Sequence, residues 1–415
     1  MGILAINLLK REKKGATFYL LFLVFFTAVT SFYMNLLVND INALETFEQN
    51  ILISLSYAVI VMSMILGFYA YQSFLASKTK LIAIFKLSGA GLLKMMSFLL
   101  IQSLSILLIA IPIGSSIGSI GAFLFYTHIL AIEGFKLTFI AILMIVFILS
   151  VQIFYMAFVA SGFIYRNEII SLMDYQNIID EKRESIVNFR IPKHLSIVGF
   201  LICISLIFNA PANSSRYLAI GVFAIYLFCP GIIKKSLYSI IITIKKRFVI
   251  TNSNLLVALS HSYILIKDSI GFIQLSSCLI MLMVGCFTMF SYNHLVKIIV
   301  YSMYCISLTF LLIALLYQIL MKINKFTSQF KQLRLIGYKA KDITTIIIYQ
   351  IILSYVVISI LVLIFPIISG TKLMNHGLLE ASSLLFVIGS YLFEIILSAS
   401  IVYIANRKEL CKSYL

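Results

Sequence analysis

Ten long apolar runs dictate what this chain can become. They fall at roughly 16–38, 51–74, 96–126, 137–164, 195–209, 216–233, 269–291, 298–321, 343–369 and 382–405. Most reach the ~20 residues that a helix needs to cross a hydrocarbon core about 30 Å thick; the fifth and sixth are the shortest. The runs are continuously apolar and do not alternate with period two, so they predict helices and exclude a barrel. With 62% hydrophobic and 11% charged residues, 415 residues could not fold in water without exposing apolar surface they cannot cover. The expectation is an all-α polytopic membrane protein of about ten transmembrane helices.

Charge sets the expected orientation. With both termini placed in the cytoplasm, 28 of the 32 Lys and Arg lie inside. Only Lys136, Arg216, Lys297 and Lys372 lie outside, and the reverse orientation would invert the positive-inside rule at every loop. The net charge of +17 is then accounted for by topology and by anionic inner-leaflet lipid, and no nucleic-acid partner is needed. Lys10, Arg11, Lys13 and Lys14 precede an apolar run of about 22 residues, longer than a signal-peptide core and without a small-x-small cleavage site. That run reads as the first retained span. The six cysteines form no C-x-x-C pair and sit mostly in apolar spans, which argues against disulfides and structural zinc.

One stretch is written twice. Residues 85–102 read FKLSGAGLLKMMSFLLIQ and residues 333–350 read LRLIGYKAKDITTIIIYQ. At a constant offset of 248, Lys86 falls on Arg334, Leu87 on Leu335, Gly89 on Gly337 and Gln102 on Gln350. A loop that only obeys the positive-inside rule needs basic residues in any order, whereas these two share basic-Leu-x-Gly in register. The glycine permits a tight change of direction before the following helix. Short amphipathic segments at 2–10 and 254–264 extend the likeness. The chain thus divides into a first four-span half (1–164), a cytoplasmic connector (165–194), a two-span insert with its following basic segment (195–250) and a second four-span half (251–415). Parallel halves of this kind suggest a pseudo-two-fold axis along the membrane normal. The connector carries balanced opposite charges and reads either as a solvated helix or as a regulatory docking segment.

Chemistry-bearing motifs are sparse. There is no G-x-x-x-x-G-K-[ST] loop, no H-E-x-x-H and no His/Cys cluster, so the expectation is no catalytic residue, no metal site and no cofactor in this chain. Glu394 is the one acid well inside an apolar run, and placing it there costs about 3 kcal/mol on insertion scales. It reads as a substrate contact or conformational latch, or as a satisfied carboxylate in the cytoplasmic third of its span. Gln102 and Gln350 are polar groups at matched positions of the repeat. Gly114 and Gly118 form a GxxxG step whose reading is tight helix packing, within the subunit or in a dimer.

At Lys86-Leu87-Ser88-Gly89-Ala90, leading to Gln102 and Gly114/Gly118, and again at Arg334-Leu335-Ile336-Gly337-Tyr338, leading to Gln350, the chain resembles the FtsX-like, MacB-type permeases of ABC transporters. Gln102 and Gln350 stand where that family commonly has Glu. The four-two-four layout is most similar to the ten-span bacitracin-resistance (BceB-like) branch. That branch has a large extracellular domain between spans seven and eight, whereas here only Ser291 to Lys297 join them. The resemblance implies a bacterial cell-membrane permease subunit that exports or extracts an amphipathic substrate such as an antimicrobial peptide or lipid. It implies a separate ABC ATPase, two copies per permease, carrying the ATP and Mg and gripping the loops at Lys86, Leu87 and Gly89 and at Arg334, Leu335 and Gly337. A non-transporting signalling or scaffold subunit, acting on a sensor kinase or another membrane partner, is the alternative.

Overall fold

The computed structural model describes residues 8, 13–39, 46–129, 139–166, 193–209, 214–248, 253–289 and 294–414. Among them every regular element is helical. We number the helices α1 Lys13–Val38, α2 Thr46–Ser77, α3 Thr79–Leu87, α4 Leu92–Leu124, α5 Phe139–Arg166, α6 Lys193–Asn209, α7 Ser214–Gly231, α8 Tyr238–Phe248, α9 Ser253–Asp268, α10 Ile270–Met289, α11 His294–Leu335, α12 Ala340–Asn375 and α13 Ala381–Tyr414. Nine apolar stretches among the described residues are long enough to cross a membrane, so the chain is a multi-pass helical membrane protein. The remaining expected span, the fifth at 195–209, corresponds to α6, whose apolar stretch Ser196–Ile207 is shorter than a full crossing. The segment at 2–10, apart from Leu8, and the connector between 167 and 192 lie outside the described residues.

Two compact units divide the chain, Met1–Asn188 and Phe189–Leu415. In the first, α1 is the central helix and packs most extensively on α4. The reason lies in side-chain size. Ala110, Gly114, Gly118 and Ala122 recur every four residues on α4, and Thr27, Ser31 and Asn35 recur every four on α1. Rows at that spacing let two backbones approach closely. A Cβ on Gly114 would stand 2.5 Å from the Val24 carbonyl, and one on Gly118 2.3 Å from that of Ala28. The closeness lets α1 hydroxyls reach across: Thr27 Oγ1 donates to Ala110 O (3.1 Å) and Ser31 Oγ to Ser115 O (3.2 Å). Helix α2 joins through Tyr19 stacked on Phe74, and α5 through Tyr155 stacked on Phe68.

The second unit holds α6 to α13, so the two-span insert packs with the second half. Helix α10 lies against α12, where Ser277 Oγ donates to Val362 O (2.9 Å). These are the counterparts, in helix order, of α1 and α4, and a hydroxyl-to-carbonyl bond again joins them. Helix α9 runs along α12 and buries Ala258, Leu259, Leu265 and Ile266. Between α7 and α8, Pro230 removes a backbone donor and a wide π-type turn follows at Ile232–Leu237. Tyr263 of α9 donates its hydroxyl to the Lys234 carbonyl of that turn (3.2 Å).

Candidate functional site

The duplicated stretch folds into the same corner in both units. At the end of α3, Ser88 N–H bonds Ile84 O, Gly89 N–H bonds Lys86 O, and Ala90 N–H bonds Phe85 O. At the end of α11, Ile336 N–H bonds Gln332 O, Gly337 N–H bonds Arg334 O, and Tyr338 N–H bonds Leu333 O. Each set is a Schellman turn, in which a left-handed residue lets the chain return its N–H groups to the orphan carbonyls of the last helical turn. That residue is glycine in both, with φ +77° at Gly89 and +108° at Gly337. The next helix then starts three residues later, at Leu92 and at Ala340. Lys94 and Met95 N–H bond Gly91 O, as Asp342 and Ile343 N–H bond Lys339 O. All five backbone bonds repeat at the offset of 248 found in the sequence.

Outside the backbone the corners share a surface chemistry. Leu87 is 58% exposed and Leu93 78%; Leu335 is 88% exposed and Ile336 75%. Long apolar side chains held out beside Lys86 and Lys94, or beside Arg334, Lys339 and Lys341, form two apolar-basic tips. Exposed apolar residues rimmed by charge mark surfaces that meet a protein or a membrane. Gln102 and Gln350, three turns into α4 and α12, are both buried. Ser354 Oγ donates to the Gln350 backbone carbonyl one turn further on.

Comparison with protein-family models and with curated proteins finds no match.

The corners also differ, in ways the repeat alone does not reveal. In the first, α3 is a separate helix after a break at Lys78, whose ammonium lies 5.4 Å from the Phe74 ring centroid. Phe85 of α3 meets Phe98 of α4 edge to face, centroids 4.8 Å apart, and fixes the angle of that corner. In the second, α11 runs unbroken for 42 residues into the corner. Asp342 then holds α12 in place: its Oδ2 accepts from Lys339 N–H (3.1 Å) and its Oδ1 from Asn254 Nδ2 of α9 (3.4 Å). An acid at this position satisfies an orphan donor and complements the helix dipole. The first corner has Lys94 at the matching position. Asp342 is legible as an acid at the third position of a helix, whereas its partner Asn254, 88 residues away, is not.

Gly114 and Gly118 lie against α1 of the same chain. Glu394 faces a narrow cleft between α10, α11 and its own helix, walled by Leu279, Ile280, Leu308, Leu311 and Leu315, with Ser398 one turn on. It stands thirteen residues from each end of the apolar stretch Ala381–Arg407. The cleft measures about 10 Å³, room for about one water and far below the roughly 300–1,000 Å³ of small-molecule sites. A further polar group missed at first lies at the start of α11 and α13. Lys297 Nζ and Glu380 Oε2 pair at 2.6 Å, with Ser382 Oγ also donating to that oxygen (3.1 Å). The hydrogen bond to Lys297 holds the Glu380 carboxyl below its ordinary range, and the same bond raises the Lys297 ammonium.

Among the described residues no three His, Cys, Asp or Glu side chains gather as a metal site. Cys203, Cys229, Cys278, Cys286 and Cys305 are all free thiols.

Proposed function

We propose that this chain is the permease subunit of a bacterial ABC transporter, with both termini and both corners cytoplasmic. A separate ATPase, in two copies, binds ATP and Mg and grips the tips at Lys86–Gly89 and Arg334–Gly337. The observation that carries the reading is the recurrence of one five-bond turn at a constant offset, each copy presenting exposed leucine beside basic side chains. A partner that exists as two equal copies fits two equal handles. Each corner ends on a helix of over 30 residues, so a push at Gly89 or Gly337 is delivered along α4 or α12. The substrate class proposed is amphipathic, an antimicrobial peptide or lipid taken from the bilayer, because only short segments join the spans on the side expected to be external.

Co-expression with an ATPase encoded beside it tests the reading. The pair is expected to co-purify, and Gly89→Pro with Gly337→Pro is expected to lose the ATPase while the permease still inserts. A complex that survives both changes would overturn the role of the corners. ATPase activity of the reconstituted pair that no amphipathic peptide or lipid stimulates would instead favour the signalling alternative.

A further inference from the structure

Past the end of α7, five basic residues crowd into a stretch of fourteen, Lys234 to Arg247. Lys234 and Lys235 belong to the π-type turn, and Lys245, Lys246 and Arg247 to the last turn of α8. No Asp or Glu occurs between Ser185 and Lys267, so the segment carries no acid of its own to balance them. Between the two clusters the sequence turns apolar again over Leu237–Ile244. Two large side chains there are uncovered: Tyr238 is 50% exposed and Ile240 56%.

Length places this surface at the headgroups. The apolar stretch Ile220–Ile244 has 25 residues, about 37 Å at 1.5 Å each, against a hydrocarbon core of about 30 Å. A crossing that starts at Ile220 therefore meets the far edge of the core near Ile240, and Lys245, Lys246 and Arg247 follow at the depth of the phosphates. Lys234 and Lys235 lie about 15 Å back along the helix, and lysine stems are long enough to carry their ammonium groups toward the same layer. The turn itself is held from α9. Tyr263 donates to the Lys234 carbonyl at 3.2 Å, and its ring meets that of Tyr238, centroids 5.3 Å apart. Beyond the turn α9 is the main neighbour of α8. Ile241 is buried, whereas Ile240 and Thr243 are exposed, so one side of α8 is left open.

The basic clusters call for an anionic occupant, and the uncovered Tyr238 and Ile240 call for one with an apolar part. Nucleic acid offers the charge without an apolar face. An acidic protein would have to reach side chains that lie at the edge of the hydrocarbon core. An anionic phospholipid presents phosphate and acyl chain at the depths where this segment presents basic and apolar residues. We propose that the turn and α8, Ile232–Phe248, form a docking surface for anionic phospholipid. The clusters meet the phosphates, Tyr238 and Ile240 enter the acyl boundary, and Tyr263 positions the turn. The charge complementarity carries the assignment, which does not rest on the transporter reading.

The test compares the full chain in nanodiscs of phosphatidylcholine alone and in nanodiscs with about 30% phosphatidylglycerol, which lies in both leaflets, so orientation does not matter. Amide exchange over residues 238–248 should be about tenfold slower with phosphatidylglycerol. The slowing should disappear at about 1 M salt, where the Debye length is about 3 Å. Lys245→Gln/Lys246→Gln/Arg247→Gln should abolish the difference between the two lipids. Should that variant fail to insert, Ile240→Ser removes only an exposed apolar contact and is expected to reduce the difference several-fold. Equal exchange in the two lipids, or an undiminished difference in the charge variant, overturns the site. Soluble polyglutamate that slows exchange in the phosphatidylcholine discs as much as phosphatidylglycerol does would assign the surface to an acidic protein, and would overturn it as well.

Discussion

Replacing Gly118 by alanine is the sharpest probe of how the first unit is held together. The added Cβ would stand 2.3 Å from the Ala28 carbonyl and 2.7 Å from Ser31 Cβ. Backbone cannot swing aside as a side-chain tip can, so α1 and α4 must part by about 1 Å to restore ordinary contact. Overpacking of this kind costs about 1–3 kcal/mol. Parting the helices also stretches the bonds from Thr27 to Ala110 and from Ser31 to Ser115, each worth roughly 0.6 kcal/mol in a membrane. Against this, alanine is a better helix former than glycine by about 0.5–1 kcal/mol. The net expectation is a loss of about 1–3 kcal/mol. Gly162→Ala in α5 is the control, because nothing lies within 4 Å of its would-be Cβ and only the favourable helix contribution remains. Thermal inactivation in detergent, followed by the monodisperse peak on size-exclusion chromatography, should place Gly118→Ala well below the parent and Gly162→Ala at or above it. Equal stability of Gly118→Ala and the parent would refute the close α1–α4 contact.

Other outcomes follow from the corners and the surface pair. Gly89→Ala and Gly337→Ala meet open space but force a side chain into positive φ, so each should cost about 1–2 kcal/mol, read as faster amide exchange at the corner. Asp342→Ala should speed exchange at Lys339 and the first turn of α12, at about 1 kcal/mol, whereas Asp342→Asn should keep most of the protection. The Glu380 carboxyl is lowered, so the Lys297–Glu380 pair contributes above the ordinary value of 4.5 and is lost as pH falls through the lowered one; because Lys297 is raised, the alkaline loss comes only above 10.5. The distance between spin labels placed at the starts of α11 and α13 should therefore stay constant near neutrality and change only at acid or strongly alkaline pH.

Helix positions were largely legible, because an apolar run of ~20 residues has few alternatives to a helix in a bilayer. Helix ends were less so. The span at 298–321 continues to Leu335 because residues 322–335 are rich in Lys, Gln and Leu, which propagate a helix once it is nucleated. The GxxxG step announced a close neighbour without naming it, and the answer was the Thr27/Ser31/Asn35 row of α1, visible in the sequence only as scattered polar residues. Glu394 stood out as an acid in an apolar run. Its cleft did not, since Leu279, Leu308 and Leu315 arrive from other helices. The corner is the opposite case: four matched residues in the repeat correspond to five matched hydrogen bonds, because a Schellman turn requires glycine at one fixed position.

The central claim is that the two corners are equivalent and face the same side of the membrane. A single cysteine at residue 88 or 336, in a chain cleared of its native cysteines, measures this with a membrane-impermeant maleimide. Both positions should label in inside-out vesicles and neither in right-side-out ones. Labelling of the two on opposite sides would contradict the account.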